Sequence, residues 1–348
     1  MNRLFSLMTP LAAALVLAGC MTQPLAPPDA NAGVAVPTQF STADAAPWTV
    51  APPAEAQPRG EWWRVFQDPA LNALVEKAGN ANTTIQQAAA RLAEARALLR
   101  SADADRAVQV GASSGVARQA GANTVGGATP TTLAQAGLNV SYELDLFGRL
   151  AQASSAARLD ADAQAALLQS TRLAVQADVA QAYLQLRAVQ AERVLVADSL
   201  TAYQDTLRLT QRRYQAGDVA ELDVARVQTE VAATESDAIA LQREEQQLTH
   251  AIAVLAGEVA SGFSVPPATS DAALPTVPPG VPGTVLARRP DVAAAQASVL
   301  AAQARVGVAQ AAWFPAIALT GSGGFASPQL SDLFQWSARA WSAAALLS

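Results

Sequence analysis

The sequence predicts a mainly α-helical chain with β-hairpins, organised around one long antiparallel helical hairpin. Three observations carry this. Apolar residues repeat at alternating steps of three and four from about Arg172 to Leu255. Two shorter stretches upstream switch to a strict period of two. The order of elements then begins again near residue 284. A sustained 3-4 step keeps an apolar seam on one side of a helix, whereas period two puts alternate side chains on opposite faces of a strand.

On the first arm the seam runs Val175, Val179, Ala182, Leu186, Val189, Val196, Leu200, Tyr203, Leu207 and Tyr214, with Arg193 and Thr210 holding two places. On the second it runs Val224, Val227, Val231, Ala238, Leu241, Leu248, Ile252 and Leu255, with Thr234 and Glu245 as the exceptions. Between the arms lies Gln215-Ala216-Gly217-Asp218-Val219. Gly217 can end the first helix in the left-handed conformation, and Asp218 can cap the second. No proline interrupts residues 149–256, so a first arm starting near Arg149 is about 100 Å long at 1.5 Å per residue.

Composition removes several function classes. Net charge is -6 with no basic run, which argues against nucleic acid. His250 is the sole histidine and has no cysteine near it, so it reads as a solvated residue and no metal site is expected. No nucleophile stands beside a histidine and no phosphate loop occurs, so no catalytic residues are assigned. Aromatics are 5% of the chain and alanine is abundant, a texture for helices that approach closely in layers.

The chain divides as follows. Residues 1–19 have a basic start, a short apolar run and small residues, the form of a secretory signal peptide; a spanning helix needs roughly 20 apolar residues. Leu17-Ala18-Gly19-Cys20 resembles a bacterial lipobox, in which the signal is cut before the cysteine and the thiol and new amine take up acyl chains. Cys20 is therefore the expected lipidation site, carrying covalent N-acyl (palmitate-type) and S-diacylglycerol groups; no other cofactor is expected. Met21, rather than an aspartate, favours the outer membrane. Residues 20–58 form a Pro/Ala/Thr/Gln-rich lipidated tether.

Residues 59–260 make a first repeat. Asp68-Pro69 is a capping acid followed by proline at the first helical position. Trp62 and Trp63 read as packing residues at that helix start, with a ligand platform as the other reading. A second helix runs from about Thr83 to Asp105. A β-hairpin follows at about 107–145. Val108, Val110, Ala112, Ser114 and Val116 alternate with Gln109, Gly111, Ser113 and Gly115; after a Gly/Thr/Pro turn, Leu138, Val140, Tyr142 and Leu144 alternate with Asn139, Ser141 and Glu143. Each strand has a dry and a wet face. About ten alternating residues suit a membrane-barrel strand, and a two-stranded soluble sheet on a helix is the other reading. The helical hairpin occupies about 149–257, and residues 261–283 form a crossing loop. Residues 284–348 replay the helix and strands: Arg289-Pro290-Asp291 starts a helix, Phe314-Pro315 ends it, Ile317, Leu319 and Gly321 begin a strand, a Gly/Ser/Pro loop spans 321–331, and Trp336, Ala338, Ala340 and Ser342 begin the return. The chain thus reads as one whole repeat and roughly half of the next, C-terminally truncated, and as such is not expected to form a sealed conduit by itself.

Four stretches carry a family resemblance: Trp62-Trp63-x-x-Phe66-x-Asp68-Pro69-x-Leu71, Tyr142-Glu143-Leu144-Asp145-Leu146-Phe147-Gly148-Arg149, Arg213-Tyr214-x-x-Gly217-x-x-x-x-Leu222-Asp223-Val224 and Leu286-Ala287-Arg288-Arg289-Pro290-Asp291. In this order, behind a lipobox, the chain resembles the outer-membrane efflux protein family of TolC-like channel tunnels, in its lipoprotein (NodT-like) branch. The resemblance implies a TolC-like α/β-barrel protomer with an incomplete second repeat. It implies a homotrimer in the bacterial outer membrane, with the helical part in the periplasm. It also implies a passive conduit for drugs or other small molecules in a tripartite, multidrug-resistance type of system, with a periplasmic adaptor (membrane fusion) protein and an inner-membrane RND-type pump as partners. The hairpin tip (Arg213, Tyr214, Gly217, Asp218, Leu222, Asp223) would meet the adaptor, or simply cap and pack the turn. Asn139, Ser141 and Glu143 on the wet face would line the pore. A different class, a lipid-anchored coiled-coil structural or adhesive lipoprotein without a pore, would have no use for the paired strand hairpins.

Overall fold

A computed structural model describes residues 60–120, 130–266, 286 and 288–348 of the chain. The signal segment, Cys20, the tether, the residues 121–129 of the first hairpin turn and most of the crossing loop lie outside the described residues. The described elements are α1 (Pro69–Ala81), α2 (Thr83–Ala104), β1 (Gln109–Gln119), β2 (Thr131–Leu144), α3 (Arg149–Gln215), α4 (Glu221–Leu255), α5 (Pro290–Ala311), β3 (Ile317–Ser327) and β4 (Arg339–Leu347), with 3-10 turns at Trp62–Phe66, Ala260–Gly262, Leu330–Asp332 and Trp336–Ala338. The chain forms two compact units, one of Arg91–Ala166 with Asp291–Ser348, the other of the described residues up to Ala90 with Leu167–Pro290.

The first unit holds an antiparallel four-stranded sheet in the order β1-β2-β3-β4. Each repeat supplies one hairpin, and β2 pairs with β3 to join them, Val140 lying opposite Gly321 and Leu138 opposite Gly323. The helices of this unit pack through alanine. Ala294, Ala301, Ala304 and Ala311 of α5 and Ala156, Ala161 and Ala163 of α3 are buried, several of them seven residues apart. Small side chains at heptad spacing let backbones approach closely, and a Cβ added at Gly307 of α5 would stand 3.2 Å from the Gln152 side chain of α3. Arg305 pairs with Asp160 across the same contact. Asp145 caps α3 by accepting from the amides of Leu150 (3.1 Å) and Ala151 (2.7 Å).

The second unit centres on Leu71, Val75, Val179, Tyr183, Leu186 and Ile252, all fully buried. Asp68 caps α1 through the amides of Ala70 and Leu71, with Pro69 at the first helical position as expected. Trp63 is buried and meets Trp62 edge-on at 6.1 Å, the packing role read from the sequence. The seam is as read except at Tyr203 and Tyr214, which are exposed. Between Arg193 and Gln211, the α3 residues shielded from solvent are Arg193, Val196, Leu200, Leu207, Thr210 and Gln211. On α4 they include Val224, Val227, Val231, Thr234, Ala238, Leu241, Glu245, Leu248 and Ile252. His250 is exposed.

Two local readings change. Glycines 321, 323 and 324 lie inside β3 rather than in a loop, because Gly324 sits against Gly137 of β2 where a Cβ would come within 2.3 Å of the Ala136 carbonyl oxygen. The return strand starts at Arg339, not Trp336, since Trp336–Ala338 closes a 3-10 turn first.

Candidate functional site

The sequence singled out two sites, the faces of the sheet and the tip of the helical hairpin. The register sorts the sheet faces. Residues directly opposite in a ladder share a face, so Val110 with Val140, Ala112 with Leu138, Tyr142 with Leu319 and Gly323 with Trp341 form one apolar face. Val110, Val116, Leu138, Val140, Leu319 and Trp341 are exposed on it. The opposite face carries Ser113, Gln135, Asn139, Ser141, Glu143, Thr320, Ser322 and Ser342, separated by Gly111, Gly137 and Gly324. Ser322 and Ser342 hydrogen-bond across β3 and β4 at 2.8 Å. The Asn139 amide lies where a Cβ on Gly111 would be, 2.8 Å from its Oδ1. Asn139, Ser141 and Glu143 are therefore on one polar face, as the alternation predicted. Glu143 differs from the other two. Its carboxylate takes both branches of Arg149, with Nη2 at 2.7 and 2.8 Å from its two oxygens and Nε at 3.2 Å. This bidentate pair fixes the passage from strand to helix around Gly148, whose φ is +76°. At the same junction Phe147 stacks on Phe314 at 4.6 Å, so the corresponding corners of the two repeats lock together.

At the hairpin tip, Gly217 adopts φ +76° and closes a Schellman motif: the Gly217 amide donates to the Tyr214 carbonyl and the Asp218 amide to the Arg213 carbonyl, each at 2.9 Å. Asp218 does not cap α4. Its Oδ2 accepts from Arg213 Nε at 2.7 Å instead, and α4 begins after Ala220, whose amide donates to Asp223 Oδ2 at 3.2 Å. Arg213, Asp218 and Asp223 thus shape the turn, while Tyr214 and Leu222 remain exposed on it.

One group of residues escaped the sequence reading. Tyr183 is fully buried, and its hydroxyl donates to Asp68 Oδ2 at 2.5 Å and accepts from Arg187 Nη2 at 2.8 Å. Arg187 also lies over the Tyr183 ring and donates to Gln190 and to the Pro266 carbonyl. Gln190 reaches Glu245, which pairs with Arg193. A polar chain therefore runs from the cap of α1 through α3 to α4. Burial, and then the bond to Asp68, pushes the Tyr183 hydroxyl above its ordinary pKa. The arginine-tyrosine spacing of four on one helix was the available signal, but a lone tyrosine next to the seam gives no sign of its partner 115 residues away.

The sequence profile of the outer membrane efflux protein family matches residues 74–258 and 281–348. The chain belongs to that family. Among relatives, it is 30% identical over 334 residues to the cation efflux system protein CusC of Escherichia coli O6:H1, covering 95% of this chain and 71% of CusC. It is 28% identical to the probable outer membrane lipoprotein SilC of Salmonella typhimurium, covering 94% of this chain and 69% of SilC. It is 33% identical to the probable efflux pump outer membrane protein TtgC of Pseudomonas putida, covering 80% of this chain and 59% of TtgC. Among solved structures, the outer-membrane channel OprN superposes with a TM-score of 0.83 at 31% identity, covering 94% of this chain and 73% of OprN. CusC superposes with a TM-score of 0.75 at 28% identity, covering 87% of this chain and 70% of that one. As an outer membrane efflux protein the chain is a channel subunit of a tripartite efflux system, set in the outer membrane with its helices on the periplasmic side. Membership in the family sets aside the poreless structural lipoprotein.

Proposed function

We propose that the chain is one stave of a homotrimeric conduit that passes small molecules passively from the periplasm to the exterior. One observation carries this reading: the sheet bears an exposed apolar face and a polar, glycine-spaced face, with β1 and β4 left as edges. In a bilayer every backbone group needs an internal partner, and a sheet meets that need only when closed. Copies pairing β4 to β1 close it, with the apolar face to lipid and Asn139 and Ser141 to the lumen. Glu143 lies on the lumen side but its charge is matched by Arg149. The hairpin tip is the surface for the periplasmic adaptor. Arg213, Gly217, Asp218 and Asp223 set its shape, and Tyr214 and Leu222 offer the contact. An RND-type inner-membrane pump supplies the energy. Cys20 carries the acyl chains that hold the N-terminus to the membrane; each buried methylene adds about 0.8 kcal/mol.

The test combines assembly and access. In a background with Cys20 replaced and the chain reconstituted in bilayers, N139C and S141C should react with a water-soluble thiol reagent, while L138C and V140C should not. A detergent-free monomer, or labelling at Leu138 and Val140 instead, overturns the reading.

A further inference from the structure

The apolar face of the sheet is charged at one end only. Of all the side chains that β1 to β4 place on that face, the charged ones are Arg118 and Arg339. Arg118 lies opposite Thr132, one pair from the last of the β1–β2 ladder. Arg339 lies opposite Phe325 in the last pair of the β3–β4 ladder. Both stand at the end away from the helices. Aromatic side chains gather at the same end. Phe325 meets Phe334 edge-on at 5.7 Å, Trp336 is 77% exposed, and Trp341, one same-face step inside the Phe325–Arg339 pair and level with Leu138, is 79% exposed. Between Trp341 and Tyr142, on the helix side, the face is aliphatic, with Val110, Val140 and Leu319. From Tyr142 to the position opposite Phe325 is six residues, about 20 Å of strand. An aliphatic band with aromatics at both margins matches the hydrocarbon layer and its two interfaces.

The Arg339 guanidinium carbon lies over the Trp336 ring, 4.2 Å from its centroid, and its Nη1 donates to the Trp336 carbonyl oxygen at 3.3 Å. Among the described residues no carboxylate pairs with it. A planar cation seated on an indole has lost much of its freedom and still presents N–H groups outward, a geometry suited to phosphate oxygens. On a lipid-facing surface an arginine is unfavourable at mid-bilayer and tolerated at the headgroups. The two arginines thus stand at the depth where anionic headgroups lie.

We propose that Arg339 on Trp336, together with Arg118, forms a binding site for the phosphate of an outer-leaflet lipid. This rests on the reading of the sheet as a membrane wall. When copies close the sheet, the β4 and β1 edges meet, so that the two arginines fall on one rim. The site would hold the exterior end of the wall at a fixed depth and select phosphorylated lipid as its neighbour.

The experiment reconstitutes the full chain into nanodiscs of phosphatidylcholine containing a tenth of bisphosphorylated lipid A, or of its dephosphorylated form. Lipid A retained through detergent washing is then counted by native mass spectrometry. Retention should require the phosphates, fall at least fivefold in R339Q and further in the R118Q/R339Q double variant, and survive in part in R339K. Displacement by millimolar inorganic phosphate alone would mark a free-phosphate site and overturn the lipid assignment. A parallel measurement tests the wall separately: bromine on the acyl chains should quench the part of the tryptophan emission that W341F removes. Quenching of Trp341 with equal lipid A retention in wild type and R339Q overturns the site and leaves the wall standing. No quenching of Trp341 overturns both.

Discussion

Arg193 and Glu245, the two charged residues set into the largely apolar seams of α3 and α4, pair with each other across the helical hairpin. Each breaks the pattern of its own helix, and together they match. An apolar seam alone permits a slip of one heptad, whereas a single matched pair at the interface favours one register. The Arg193→Ala and Glu245→Ala variants should therefore show a coupling of about 1 kcal/mol in a double-mutant cycle read from thermal unfolding. The exchanged pair R193E/E245R should recover most of the loss. Additive single losses would reduce the pair to a surface contact.

Gly217 and Gly257 both adopt positive φ, +76° and +71°, yet they differ in surroundings. A Cβ at Gly217 meets nothing within 4 Å, while one at Gly257 would stand 2.7 Å from the Ala81 carbonyl oxygen. G217A should cost only the backbone penalty, about 1 kcal/mol, and leave the seam intact. G257A adds a clash with α1 and should cost about 2 to 3 kcal/mol. Circular dichroism melts of the two variants, side by side, check the difference.

Gly137 and Gly324 oppose each other at the junction of the two repeats. A Cβ on Gly324 would lie 2.5 Å from the Gly137 Cα, whereas Gly323 and Gly115 have open space. G324A should therefore force β2 and β3 apart and cut the yield of detergent-resistant assembly, and G323A and G115A should not. Equal yields would show that the sheet can yield at this point.

Tyr183 sets an alkaline limit on the second unit. Its folded pKa is raised, so the neutral hydroxyl is favoured in the folded state. The contribution is fully present below the unfolded value of about 10 and is lost as pH climbs through the folded value. Stability should fall above about pH 10 in wild type and flatten in Y183F. At neutral pH Y183F should cost about 1 to 2 kcal/mol, because Asp68 and Arg187 each lose a partner. Urea midpoints at pH 8 and pH 11 read both effects.

Local patterns made the helical hairpin, the Gly217 turn, the Asp68 cap and the two-faced strands legible, since each is written in adjacent or regularly spaced residues. Asn139 and Ser141 were placed on their face by alternation alone. What the pattern could not show depends on distant partners. Glu143 looks like a free wet-face acid until Arg149 is seen to turn back on it from the next element. Asp218 looks like a helix cap until Arg213 is seen to claim it. Glycines 321, 323 and 324 resemble a loop because nothing local reveals that Gly324 lies against Gly137.

The pairing of β2 with β3 carries a consequence for how the molecule is made. Each hairpin can zip from its own connection, but the central ladder must wait until α3, α4 and α5 have been delivered, because all three intervene in the chain. Closing so large a loop is slow and has no local turn to guide it. The union of the two halves is therefore expected as the last step of maturation, with the ribbons exposed and in need of protection until then.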